Sequence, residues 1–158
     1  KGWNRPERYG EAVAALRAHG LEVSTEMMIR LEGDDEGVFE STYAFLMDHE
    51  IAVPRIHIIT PVPGTPLHRR MEEAGRMRLR DFSHYTGGQV VFTPSGLAPD
   101  LLQRGYWRLY QRLFTLPAIV HRTRRNHAAL SPFMRAFVLG VNLHYRRHIR
   151  RRITPGIV

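Results

Sequence analysis

Two short apolar runs carry side chains able to do polar chemistry, among them Glu26 and Arg30 within Leu21 to Leu31, and His57 within Pro54 to Ile59. If both runs are strands, alternation puts Glu22, Ser24, Glu26, Met28 and Arg30 on one side of the first, and Val23, Thr25, Met27 and Ile29 on the other. On the second, Arg55 and His57 alternate with Ile56 and Ile58. A face carrying a carboxylate, a guanidinium and an imidazole suits the interior of a barrel that holds a ligand. An open doubly wound sheet, covered by helices on both faces, favours strands that are apolar throughout. His57 either faces a substrate or is a hydrogen-bonded interior histidine, the plainer reading. The remaining histidines have no metal-ligand spacing, so no metal is assigned, and no side chain is singled out as catalytic.

The second run leads into Thr60-Pro61-Val62-Pro63-Gly64-Thr65-Pro66-Leu67, the stretch around which the chain is organised. Its prolines and glycine leave the backbone few conformations, so the loop holds one shape at low entropic loss. Thr65 is placed to cap a helix from His68 to Ala74, and Pro66 falls at the first helical position, where a missing N–H is harmless. The helix dipole then points back toward the strand end, the edge at which parallel sheets bind ligands. Read plainly, the same loop is a rigid connector with no ligand.

The elements that must position these groups follow in order. Arg5 to His19 has a helical period, with Asn4 as a candidate cap and Gly20 as the stop. After the first strand comes the acidic turn Glu32-Gly33-Asp34-Asp35-Glu36, then a helix from Val38 to His49. Helix, strand, helix, strand, helix is the order of βαβ units and a parallel sheet. Gln89 to Thr93 reads as a further short strand between Gly87-Gly88 and Pro94. From Pro99, Leu101, Leu102, Tyr106, Leu109, Tyr110, Leu113 and Phe114 form a helical stripe opposite Arg104, Arg108 and Arg112. A basic connector from Arg122 to Arg125 leads to the apolar Phe133 to Tyr145, and then to Arg146-Arg147-His148-Ile149-Arg150-Arg151-Arg152.

The 158 residues can bury one good core. With no Cys, neither a disulfide nor a cysteine-ligated metal or cluster can form within them. No run is long enough to span a bilayer and no signal peptide opens the chain, so a cytoplasmic protein is expected. The net charge of +8 belongs to the C-terminal part, which has no acidic residue from Arg104 onward. That basic tail has three readings: a packed helix with its arginines in water, an amphipathic anchor on anionic lipid, or a nucleic-acid contact, for which no binding motif is present.

The run Met27 to Asp35, upstream of the proline-rich loop, resembles the later strands of the radical SAM superfamily. There, an apolar strand ending in a Gly-containing acidic turn contacts the adenosyl group, and the next strand ends in a PGT loop. The match extends through His57, Thr60 to Leu67, Gly75-Arg76-Met77, Arg80-Asp81-Phe82 with Tyr85, and Val90-Val91-Phe92 before Pro94. Together these look like the cobalamin-binding-domain-containing radical SAM proteins, which include methyl-transfer and cyclisation enzymes. The resemblance covers Lys1 to Phe114.

It implies an α/β fold: the C-terminal part of a partial (β/α)6 barrel over residues 1–95, followed by a mostly helical basic extension over 96–158. The upstream half of the same protein would then be the partner, supplying the first strands, a cobalamin domain and the CxxxCxxC loop for a [4Fe–4S] cluster. S-adenosylmethionine, the cluster and cobalamin would serve the full-length enzyme, and this chain alone would bind none of them and be inactive. The resemblance points to Glu26, Met28, Arg30, Ile59, Thr60, Pro61 and Val62 as cofactor contacts and to His57 as a substrate contact. Arg30 stands where the family has a turn glycine; it pairs with the SAM carboxylate or with Glu26, or it blocks the site. The competing reading is a truncated, non-enzymatic domain whose basic helices bind an anionic membrane surface or a partner protein.

Overall fold

The two apolar runs pair in parallel. In the computed structural model, which describes residues 8–29, 35–124 and 130–156, β1 (Ser24–Ile29) lies beside β2 (Val53–Ile58), in register from Ser24 opposite Val53 to Ile29 opposite Ile58. Between them runs α2 (Gly37–Asp48), completing a βαβ unit. Both strands are shorter than or offset from the sequence reading. Leu21 to Val23 lie outside the ladder because β2 begins only at Val53, after a turn in which Glu50 takes φ +49°. Ile59 lies past the end of β2, although its N–H still donates to the Ile29 carbonyl at 3.1 Å. Among the described residues the sheet has these two strands only, so the barrel is not formed by them.

Alternation divides the sheet as expected. Ile29, Ile56 and Ile58 are buried in one core with Leu46, Ile51 and Phe92, whereas Ser24, Glu26 and Met28 are exposed and Arg55 and His57 are half-buried on the other face. Ahead of β1, α1 (Tyr9–Ala18) ends at Gly20, whose φ of +73° reverses the chain. Asn4, the expected cap, lies outside the described residues, and α1 starts after Arg8 with no side-chain cap. α3 (Pro66–Glu73) follows the proline-rich loop.

Residues 89–93 do not form a strand. They make one antiparallel bridge, Met77 to Phe92, flanked by Arg78 N–H to Val91 O at 3.0 Å and Thr93 N–H to Arg76 O at 2.7 Å. The Val90 N–H instead donates to the Gln103 side chain at 3.0 Å, so a helix, and not a third strand, satisfies this segment.

The stripe from Pro99 becomes α4 (Pro99–Leu113), with Leu102, Tyr106, Trp107, Leu109, Tyr110 and Leu113 buried. Gly105 lets α4 approach α2 closely: a Cβ there would come within 2.4 Å of the Phe39 ring. The expected basic connector at 122–125 is instead the end of α5 (Leu116–Arg124) as far as it is described. Arg122 is fully buried, donating to the Ile51 and Ala52 carbonyls at 2.8 and 2.9 Å, to Leu113 O at 2.8 Å and to Asn142 Oδ1 at 3.3 Å. It fastens the start of β2 and the end of α4 to α6 (Pro132–Arg150). Burial lowers its pKa to about 10, so it remains charged at neutral pH. Sequence could not distinguish this cation from its solvated neighbours, because the difference lies in the carbonyls gathered around it.

Candidate functional site

The proline-rich loop has the geometry its residues demand. Val62, Pro63, Gly64 and Thr65 make a turn with Pro at its second position, Gly64 at φ +83° at its third, and Thr65 N–H donating to Val62 O at 3.1 Å. This is the arrangement of a type II turn. The Thr65 hydroxyl then caps α3, accepting from His68 N–H at 3.3 Å, with Pro66 at the helix start. Thr60 folds back within the loop, its hydroxyl donating to Ile58 O at 3.1 Å. Pro61 is buried, Ile59 and Thr60 are half-buried, and Val62 to Gly64 are exposed.

On the polar face of the sheet, Glu26 bridges two bases of the neighbouring strand. Its carboxylate lies 2.7 Å from Arg55 Nη2 and 3.1 Å from His57 Nε2. Register explains this: Glu26 is directly opposite Arg55, and His57 is two residues further along the same face. Met28, opposite His57, is 64% exposed, so the face is open beyond the cluster. The Nε of Arg55 is buried without a hydrogen-bond partner.

His57 is covered on its other side by a glycine. Gly87 has φ +72°, and a Cβ on it would come within 2.9 Å of His57 Nδ1. Its carbonyl accepts from Ile58 N–H at 2.7 Å, so the backbone at 87 acts as a one-residue neighbour to β2. Further along that edge, the Tyr110 hydroxyl takes the Ile56 N–H at 2.8 Å and approaches Ile56 O at 2.9 Å, while the Tyr106 hydroxyl lies 3.3 Å from Ile56 O. Desolvation raises both phenol pKa values, that of Tyr106 to about 12, so both hydroxyls remain protonated donors across the physiological range.

Of the residues picked from sequence, Glu26 and His57 are therefore brought into contact, with Met28 beside them, and Ile59 to Val62 follow at the end of the same parallel pair. Arg30 and the Glu32 to Asp34 part of the acidic turn lie outside the described residues. Glu26 is engaged by Arg55, a residue seen in the sequence as part of the mixed face but not as part of the site. The roles of Gly87 and Tyr110 were also missed. The Gly87-Gly88 pair hinted at an unusual turn, but Tyr110 carried no signal beyond its place in an apolar stripe.

Next to Arg55, a groove of about 570 Å³ runs along α6, walled by Phe137, Val141 and Tyr145 and edged by His144. No group of three or more metal-binding side chains occurs among the described residues. An open parallel-strand end, a rigid loop and a carboxylate flanked by bases make a surface suited to positioning a small molecule.

The chain is similar to two methyltransferases. It is 30% identical over 122 residues to the bacteriochlorophyllide d C-12(1)-methyltransferase of Chlorobaculum tepidum, covering 77% of this chain and 26% of the relative. It is 25% identical over 123 residues to the bacteriochlorophyllide d C-8(2)-methyltransferase of the same organism, covering 78% and 27%. The chain thus spans about a quarter of the length of these curated relatives. No family model matches it.

Proposed function

We propose that this chain is the C-terminal part of a SAM-dependent methyltransferase of the cobalamin-binding radical SAM type, with residues 1–95 ending a partial barrel and 96–158 forming the basic helical extension. One observation carries this reading: in a chain similar to two methyltransferases, the rigid Thr60–Leu67 turn stands at the end of a parallel strand whose polar face carries an exposed Glu26 between the half-buried Arg55 and His57. The sheet is closed along β2 by Gly87 and Tyr110 and has no described partner along β1. Further parallel strands from the upstream half of the protein are therefore added beside β1.

The residues present fit S-adenosylmethionine in part. When bound, it would supply the methyl group to be transferred. Ile59, Thr60, Pro61 and Val62 offer backbone groups and an apolar edge for adenosine, Met28 adds exposed apolar surface, and Glu26 can accept from a ribose hydroxyl. Arg30 extends the same sequence run. The [4Fe–4S] cluster does not fit these residues, because no Cys is present to ligate it, and nothing here marks a cobalamin contact, so these groups belong to the upstream half and no step is routed through them. His57 faces the substrate, held in position by Glu26. The groove beside Arg55, with apolar walls and a guanidinium and an imidazole at its edge, supports a substrate of the kind the relatives' names give, a bacteriochlorophyllide.

The test is transfer of label from methyl-deuterated SAM to a chlorophyllide in the complete, reduced enzyme, with and without Pro61→Gly/Pro63→Gly. Loosening the turn is expected to raise the KM for SAM by roughly tenfold through lost preorganisation. An unchanged KM would remove the loop from the site, and absence of any methyl transfer would overturn the reading.

A further inference from the structure

The outward side of α6 is divided along its length. Phe133, Ala136, Leu139, Leu143, Arg147 and Arg150 follow one another at steps of three or four residues and so form a single stripe, every member of which is exposed. Its first three turns are apolar, with Phe133 77% exposed, Leu139 45% and Leu143 44%. The opposite side is occupied by Val138, Asn142 and Ile149, which are buried against the rest of the molecule. The end of the stripe is basic and continues into Arg151 and Arg152, both exposed. None of Arg147, Arg150, Arg151 and Arg152 has a carboxylate partner among the described residues, and the sequence has no acidic residue after Asp100 that could supply one locally.

We propose that this stripe lies on an anionic phospholipid surface, with Phe133, Leu139 and Leu143 in the acyl boundary and the four arginines on headgroup phosphates. Charge complementarity selects this occupant. An apolar protein interface would leave four cations at its end to be buried or paired, whereas an anionic bilayer offers hydrocarbon and phosphate side by side at the depths a lying helix reaches. Guanidinium groups match phosphate oxygens in a two-point geometry that ammonium groups cannot reproduce. None of the described helices is long and apolar enough to cross a membrane, so α6 lies in the interface.

Co-sedimentation of the full chain with vesicles of phosphatidylcholine, or of equal parts phosphatidylcholine and phosphatidylglycerol, tests this at low and high salt. Binding is expected only to the anionic vesicles and is expected to weaken with salt. Replacing Arg147, Arg150, Arg151 and Arg152 together with Gln should lower partitioning by roughly fivefold per arginine, several-hundred-fold in all. Leu139→Ser/Leu143→Ser should lower it by roughly tenfold or more. Both variants alter exposed positions only and should melt like the parent. As a second readout, the chain lacks Cys, so Phe133→Cys can carry a single environment-sensitive dye, whose emission should shift to the blue on anionic vesicles alone. Equal pelleting with both vesicle types, parental pelleting of the arginine variant, an unshifted dye, or a salt-resistant dimer formed in place of vesicle binding would each overturn the proposal.

Discussion

The two edges of the parallel pair are handled in opposite ways. Along β2, the hydrogen-bonding groups are met by side chains and by a single backbone carbonyl: Tyr110 and Tyr106 at Ile56, Gly87 at Ile58, and Arg122 at residues 51 and 52. Along β1, no described segment pairs with the outer edge. The faces repeat the contrast, one filled by isoleucines and the other holding an exposed Glu26 against the half-buried Arg55 and His57. A buried strand edge must have its N–H and C=O groups satisfied, and a helix can do this as well as a strand if it carries hydroxyls at the right height. Among the described residues the sheet therefore ends at β2, and it is the β1 edge that is left without a pairing segment.

That contrast can be broken most severely at Arg122. Arg122→Met is expected to leave the Ile51, Ala52 and Leu113 carbonyls buried without their donor, destabilising the fold by about 3 kcal/mol or more. Thermal or urea melts should register this as the largest loss of the series, and a parental midpoint would show that the closed edge is not held by this cation. Next is Tyr110→Phe, which removes the acceptor for the buried Ile56 N–H. A cost of about 1–3 kcal/mol is expected, and faster amide exchange at Ile56 should report which edge has opened. The smallest effect on stability should come from Glu26→Gln on the open face. There the pair with Arg55 is partly solvated, and less than about 1 kcal/mol is at stake. A loss as large as that of Tyr110→Phe would mean that the polar face is part of the core after all.

The elements were legible where one local rule dominates. The Thr65 cap, Pro66 at the helix start and Gly20 at a helix end each follow from a single residue's conformational preference, and all three are present. Periodicity also assigned the polar face of β1 and most of the buried stripe of α4, although Leu101 is exposed and Trp107 is buried in its place. Residues 89–93 misled because an apolar run looks the same whether its N–H groups meet a strand or, as at Val90, the side chain of Gln103. At the site, Glu26 and His57 were found from alternation, but the pairing of Glu26 with Arg55 depends on the register of two strands separated by a helix.

By itself, the sequence determined the local pieces: a proline-braced turn, two strands with one mixed face, and helices with basic flanks. Tertiary structure alone decided which cation is buried and which is solvated, and which strand edge is sealed. Those outcomes depend on groups such as Arg122 and the Ile51 carbonyl meeting across long stretches of chain. Periodicity carries no record of such meetings, because a hydrogen bond is specified by the position of both partners and the sequence pattern describes one at a time.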